Sequence, residues 1–270
     1  MFELGIVTDE IDLDVKKSIK HGLDFGLSKY EIRCLGSYEK RIPYVDQADI
    51  DFLLNLLTEG TIEITALSPG TFKIKPSESD KLQKEMEETL PKTFELAKKF
   101  NADKIITFGF MRDGTEESEV VELLRRAGKM AAERNLKLAV ENEPGAYLDT
   151  GENTARLINK VAMDNVKVNW DPGNALSAGD IPYPVGYEHV KDLIINFHIK
   201  DSIPLPPDKW ENKLLNDGGV NWLGQLNALY KDQLLPYLTL ETHVFPLLES
   251  TEEDLKRLDV LFDAVKKLNP

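Results

Sequence analysis

Four short apolar runs in the second half of the chain each close on a residue that can bind a metal ion. They are Lys137-Leu-Ala-Val-Glu141, Val166-Lys-Val-Asn-Trp-Asp171, Ile194-Ile-Asn-Phe-His198 and Tyr237-Leu-Thr-Leu-Glu241. Their closing residues stand 30, 27 and 43 positions apart. A strand-plus-helix unit of a βα barrel takes roughly 31 residues, and barrel chemistry sits at the C-terminal ends of the strands. The spacing therefore predicts one ligand per strand end, all at one mouth.

Strand periodicity sharpens this expectation. Side chains alternate faces along a strand, so the residue two before each ligand shares its side. Those residues are Ala139, Asn169, Asn196 and Thr239, all small or polar. The intervening Val140, Trp170, Phe197 and Leu240 are apolar and are expected to meet the helix layer. Glu141, Asp171, His198 and Glu241 then converge on the axis. Three carboxylates held together repel unless they are protonated or neutralised. A divalent cation neutralises them, and three oxygens with one imidazole suit Mn²⁺ first, with Mg²⁺, Co²⁺ or Zn²⁺ as alternatives.

The elements that must position these residues follow in order. Phe2–Val7 reads as the first strand, followed by Thr8-Asp9-Glu10 and a helix from about Asp12 that stops near Gly22 or Gly26. Lys29–Arg33 reads as the second strand, with Glu31 and Arg33 on one face as an ion pair low in the barrel or a rim contact with substrate. An apolar stripe over 49–60 predicts a helix, and Ile62–Leu67 a strand broken by Ser68-Pro69-Gly70. Lys73 and Lys75 follow in a loop and read as exposed. A helix is expected over 79–100, kinked or divided by Pro91, then a strand at Lys104–Phe108.

Thr115-Glu-Glu-Ser-Glu predicts a capped helix to Asn135. Further helices are expected at 152–161, 187–192, 224–231 and 251–268. The segment Ser202-Ile-Pro-Leu-Pro-Pro-Asp and the turn Asn216-Asp-Gly-Gly-Val-Asn-Trp222 form a long, functional-looking loop. Eight alternations with no linker predict an α/β chain folded as a single (β/α)8 TIM barrel over residues 1–270.

Composition is consistent with a one-domain enzyme. The chain has 270 residues, 41% of them hydrophobic, enough for a sizeable core. Its formal charge is −14, from 47 acidic against 33 basic residues. With no Lys/Arg run, that field disfavours nucleic acid and anionic membranes. The single cysteine, Cys34, forbids an intrachain disulfide, reads as a packing residue and fits a reducing compartment. The N-terminal residues lack a basic and apolar leader pattern, and no run is long enough to span a bilayer. The expected location is the cytoplasm.

The segments Glu141-Asn-Glu-Pro, Asn169-Trp-Asp-Pro-Gly-Asn174, His198-Ile-Lys-Asp201 and Leu240-Glu-Thr-His243 resemble the xylose-isomerase-like barrel superfamily. More narrowly they resemble its sugar phosphate isomerase/epimerase branch. The resemblance extends to Tyr30-Glu-Ile-Arg33, Ser68-Pro-Gly and Gly218-Gly-Val-Asn-Trp, hence over most of the chain. It implies a divalent metal held by Glu141, Asp171, His198 and Glu241, with Glu141 and Glu241 also moving the proton. Many relatives carry a histidine where this chain has Asn174, so the substrate stays open.

A metal-polarised carbonyl beside two carboxylates suits isomerisation or epimerisation of a sugar or sugar phosphate through an enediolate. Asn174, Lys200, Glu143, His243 and Arg33 are the candidate substrate contacts, with a salt bridge as the alternative for Lys200 and a local hydrogen bond for His243. For a phosphate, Arg33, Lys73, Lys75, Arg112 and Lys200 are candidates. Three other functions compete. A metal-dependent dehydratase of a polyol or keto-inositol would use the same scaffold, and a sugar-binding barrel would have kept the fold without turnover. An abasic-site endonuclease needs more histidines than the four present, and a basic groove. Homo-oligomerisation stays open, since no apolar patch decides it.

Overall fold

The computed structural model describes residues 2–205 and 209–270. Eight parallel strands close into a barrel: β1 (Glu3–Val7), β2 (Lys29–Ile32), β3 (Glu63–Leu67), β4 (Lys104–Phe108), β5 (Lys137–Glu141), β6 (Val166–Trp170), β7 (Ile194–Ile199) and, after a hairpin, β10 (Tyr237–Leu240). Around the ring the order is β1-β10-β7-β6-β5-β4-β3-β2, so β10 pairs with β1 and β7 and leaves no open edge. The expected (β/α)8 barrel is what the chain forms.

Helices cover the outside: α1 (Val15–Asp24), α2 (Gln47–Thr58), α3 (Ser79–Lys84), α4 (Leu90–Phe100), α5 (Glu117–Ala132), α6 (Gly151–Val161), α7 (Pro172–Ser177), α8 (Tyr187–Val190), α9 (Trp222–Asp232) and α10 (Leu247–Leu268). Val140, Trp170, Phe197 and Leu240 all belong to the main apolar core between strands and helices, as their phase requires. A separate small cluster of Ala66, Ile106 and Ala139, in the other phase, packs with Ile195. Among the described residues no helix is long and apolar enough to cross a membrane.

Several local readings shift, each for a physical reason. Pro91 divides the 79–100 segment, and the break takes the form of a π-helical stretch at Glu85–Thr89 because proline has no N–H to continue the α ladder. Thr115 does not cap α5; the capping position is Glu116, which makes no side-chain bond, so only the dipole part of that signal operates. The segment read as a proline-rich loop instead forms an antiparallel hairpin, β8 (Asp201–Leu205) with β9 (Lys209–Lys213). Pro206, Pro207 and Asp208 lie outside the described residues. The short α7 went unread. It begins because the Asp171 side chain accepts the Asn174 N–H, with Pro172 at the first helical position.

Candidate metal centre and mouth cavity

The four ligand candidates meet. One oxygen or nitrogen from each of Glu141, Asp171, His198 and Glu241 lies within 4.8 Å of the others, and all four residues are buried. Ligand atoms about 2.0–2.3 Å from a shared ion stand no farther apart than that. The His198 ring is held edge-on: Nε2 lies 3.1 Å from Glu31 Oε2, while Nδ1 faces Glu241 Oε2 at 3.4 Å and Glu141 Oε2 at 3.7 Å. A buried carboxylate behind one ring nitrogen leaves the other for a metal, the usual support of a metal-ligating histidine.

The in-phase residues hold the cluster from beneath. Asn169 Nδ2 donates to Glu141 Oε2 at 3.1 Å, and Asn196 Nδ2 donates to Asn169 Oδ1 at 3.0 Å and Glu31 Oε2 at 3.3 Å. Asn142 clasps the Asp171 backbone, donating to its carbonyl at 2.9 Å and accepting its N–H at 2.8 Å. Asp201 accepts the backbone N–H groups of Ser202, Asn216 and Val220, which folds the Gly218-Gly219 turn over it. A Cβ on Gly218 would sit 2.0 Å from Asp201 Oδ1, so this turn needs glycine.

The donor set fits a cation. Lys200 Nζ stands 2.7 Å from Asp171 Oδ2 and 2.9 Å from Glu241 Oε2, yet Asp171 Oδ2 accepts no well-directed hydrogen bond. That buried oxygen has the charge of Lys200 beside it but no directed hydrogen bond, so it keeps a lone pair for a cation seated among the four residues. Burial, with Glu241 and Glu141 nearby, pushes the Asp171 carboxyl up to about 6 against the pull of Lys200. Burial also opposes the charge on Glu241, but Lys200, His243 and His198 outweigh it and hold that carboxyl well below its ordinary range. Burial opposes the charge on His198 too, and Glu31, Glu241 and Glu141 overcome it, so without a metal the imidazole is held charged.

Above the cluster opens a cavity of about 430 Å³ whose walls include Glu141, Glu241, Glu143, Lys200, Arg33 and His243. Six of the seven predicted metal and substrate residues other than Asp171 and His198 thus reach it, the exception being Asn174. Arg33 is in the wall, but its guanidinium is shared among Asp9, Glu10 and Glu241, and it does not pair with Glu31. Asn174 lies behind Glu141 and is absent from the cavity wall, giving its amide to Glu141 Oε1 at 3.1 Å and Asn142 O at 2.9 Å. Lys200 makes the salt bridges named above. Lys73, read as exposed, pairs with Glu143 Oε1 at 2.7 Å over the Phe108 ring. Arg112 pairs with Asp149 and, like Lys75, is not in the wall. Cys34 is buried but does border the cavity.

Three contributors escaped the sequence reading: Asp9, Glu10 and Arg41. Glu10 clamps His243, its Oε2 accepting the backbone N–H at 2.7 Å and its Oε1 lying 2.5 Å from Nδ1. Burial raises the Glu10 carboxyl, but His243 and Arg33 win and bring it to about 2. Asp9 and Glu10 directly follow the first strand, so the strand-end rule applied to the late strands would have found them. No local signal marks Arg41.

Residues 20–261 match the xylose isomerase-like TIM barrel family. The chain belongs to that family. A curated relative, 3-dehydroshikimate dehydratase from Bacillus anthracis, is 26% identical over 156 residues, spanning 55% of this chain and 53% of that protein, about half its length. The crystal structure of the IolI protein with a bound zinc atom matches with a TM-score of 0.77 at 19% identity, covering 98% of this chain and 99% of the other. A D-tagatose 3-epimerase-like protein matches with a TM-score of 0.73 at 17% identity, covering 98% and 100%. The two structural matches establish shared architecture.

Proposed function

We propose that this chain is a divalent-metal-dependent isomerase or epimerase acting on a sugar or sugar phosphate through an enediolate, with Glu141 and Glu241 as metal ligands and acid/base pair. The observation that carries the reading is that these two carboxylates belong both to the four-ligand cluster and to the cavity wall. A divalent ion, Mn²⁺ foremost given the hard donor set, supplies charge that polarises a carbonyl and offsets a developing oxyanion. Asp171 and His198 complete its seat.

The chain's own residues supply the proton chemistry. Glu141 and Glu241 are both held below the ordinary carboxylate range, Glu141 because His198 outweighs the effect of burial, so each stands ionised, the form a general base requires. They come from β5 and β10, which β6 and β7 separate around the ring. A proton taken by one and returned by the other on the opposite face inverts a carbon; one carboxylate working between adjacent carbons shifts the carbonyl. Lys200 has a third N–H beyond its two ion pairs with which to orient a substrate oxygen. Asn174 fixes the Glu141 carboxylate.

A dehydratase is the second reading, favoured by the 26% identical relative of that name. It shares the first proton removal and differs in then expelling a β-hydroxyl. One experiment addresses both. Metal content and thermal melting of the full chain are measured with EDTA and with Mn²⁺. The chain is then incubated in D₂O with L-ribulose, D-tagatose and 3-dehydroshikimate. About one ion per chain is expected, with about 2.7 kcal/mol of stabilisation at 100 times Kd. Deuterium in an epimer or isomer supports the first reading, and loss of water the second. Absence of bound metal, melting shift and exchange together rules out both.

A further inference from the structure

The mouth is crowded with carboxylates, and almost every cation near them is already engaged. Arg33 serves Asp9, Glu10 and Glu241; Lys200 serves Asp171 and Glu241; Lys73 serves Glu143. Arg41 differs. Among the described residues no carboxylate oxygen lies within 4.0 Å of its guanidinium, whose one hydrogen bond there runs from Nε to Ser68 O at 3.1 Å. The side chain is half-buried and forms part of the cavity wall.

Its position is built. Arg41 bridges back to Cys34 across a tight loop, and its side chain lies on Gly70. A Cβ at Gly70 would stand 2.8 Å from both Cζ and Nε of Arg41, and Gly70 adopts φ +76°. The Ser68-Pro69-Gly70 turn therefore cradles the guanidinium by one carbonyl and one missing side chain, leaving both terminal nitrogens without a protein partner among the described residues. Arg41 also borders a neighbouring cavity of about 370 Å³ beside Tyr44 and Thr89. The groups that act on it, however, are Arg33, Cys34, Asp9 and Glu141 at the mouth. Burial, then Arg33, lowers its pKa, the mark of a desolvated cation lacking enough opposing charge.

We propose that Arg41 is the anion-recognition residue of the site and that the substrate carries a carboxylate, held by the two free guanidinium nitrogens. This rests on the metal-dependent proton chemistry proposed for the same cavity, and it favours a sugar acid, or the carboxylate substrate of the dehydratase reading, over a sugar phosphate. A partly buried guanidinium with no acidic partner, in a chain of net charge −14, is costly unless an arriving anion completes it. A planar carboxylate matches the guanidinium fork. Its single charge matches the one cation of the cavity wall that has no acid among the described residues, whereas a phosphate dianion would face the mouth carboxylates with half its charge unmatched.

The test is calorimetric binding to the full chain, with and without Mn²⁺, using 3-dehydroshikimate as the carboxylate probe, L-ribulose 5-phosphate as the phosphate probe and L-ribulose as the neutral one. Wild type should prefer 3-dehydroshikimate. Arg41→Gln should weaken that probe about 10- to 100-fold while leaving L-ribulose and Mn²⁺ within about twofold. Arg41→Lys should recover part of the loss, since it keeps the charge but not the fork. It also keeps the test decisive if the glutamine variant misfolds. Lys75→Gln, on an exposed residue outside the wall, should change nothing.

Three results overturn the proposal: equal weakening of charged and neutral probes, no binding of 3-dehydroshikimate up to about 10 mM, or a preference for the phosphate. Failure to take up Mn²⁺ would instead strike the proposed function, since the Arg41 effect is read on the metal-free chain as well.

Discussion

The two ends of the barrel handle charge in opposite ways. At the N-terminal end Lys29 lies between Glu3 and Glu63, Asp103 between Lys104 and Lys137, and Lys29 and Lys104 lie 5.8 and 5.3 Å from the Tyr237 ring centre. Three acids meet three bases there, and the partners are largely open to water. At the C-terminal end Asp9, Glu10, Glu31, Glu141, Glu143, Asp171 and Glu241 are buried and face Arg33, Lys73, Lys200 and the two histidines. Asp171 Oδ2 is left without a hydrogen bond and Arg41 without an acid among the described residues. The same fold thus balances charge where it needs only stability. It leaves charge unbalanced at the mouth, where the proposed ion and substrate would complete the set.

Breaking the mouth should therefore cost function, and breaking the floor should cost only a little stability. The largest effect is expected for Glu241→Gln or Glu141→Gln. Each should lower turnover by about 10²–10⁴-fold, the usual worth of a positioned acid or base, and should reduce bound metal. Steady-state rates and metal analysis of each variant check this; a variant that keeps full metal and full turnover would remove that residue from both roles.

Next comes Glu31→Gln, which touches no ion but orients His198. Metal affinity should fall about 10- to 100-fold, as for other residues that back a ligand, and a competition titration reads it. Unchanged affinity would mean that His198 needs no such support. At the floor, Lys29→Met should cost at most about 1 kcal/mol, because its partners are exposed, with metal affinity and turnover unaltered. A large loss of turnover in that variant would erase the contrast between the two ends.

The smallest effect concerns pH. Burial raises the Glu85 carboxyl to about 7, although the Phe72 N–H it accepts at 2.7 Å pulls the other way. The folded state then holds this proton more tightly than the unfolded state does. The contribution to stability is full below the ordinary value of 4.5 and is lost as the pH rises towards about 7. Glu85→Gln should shrink the difference in melting temperature between pH 5 and pH 8, by on the order of 2 °C. An identical difference in the variant would show that Glu85 is not the group responsible.

Much of the site was legible because strand geometry is local. Alternation along four late strands placed Glu141, Asp171, His198 and Glu241 in one phase, and their spacing matched the βα unit, so a cluster was implied before any partner was known. The same logic put Trp170 and Phe197 in the outer core, where they lie. The hairpin β8–β9 was not legible, since prolines at Pro204 and beyond argue for a loop and only the cross-strand pairing of Asp201 with Lys213 makes a ladder.

Phase and spacing are properties of the covalent chain, and they determined the barrel, its mouth and the convergence of Glu141, Asp171, His198 and Glu241. Which charge meets which was decided only by the tertiary structure. Glu31 and Arg33 are two residues apart and share a face, yet Glu31 turns to His198, 167 positions away, and Arg33 to Glu241, 208 away. Glu10 reaches His243 across 233 positions. Coulomb energy depends on distance in space and on local burial, and loop paths set both without any local pattern in the sequence. That is why the pairing of the exposed Lys73 with Glu143 left no trace in the sequence, and why nothing there marked Arg41, a cation that faces the cavity without an acid among the described residues.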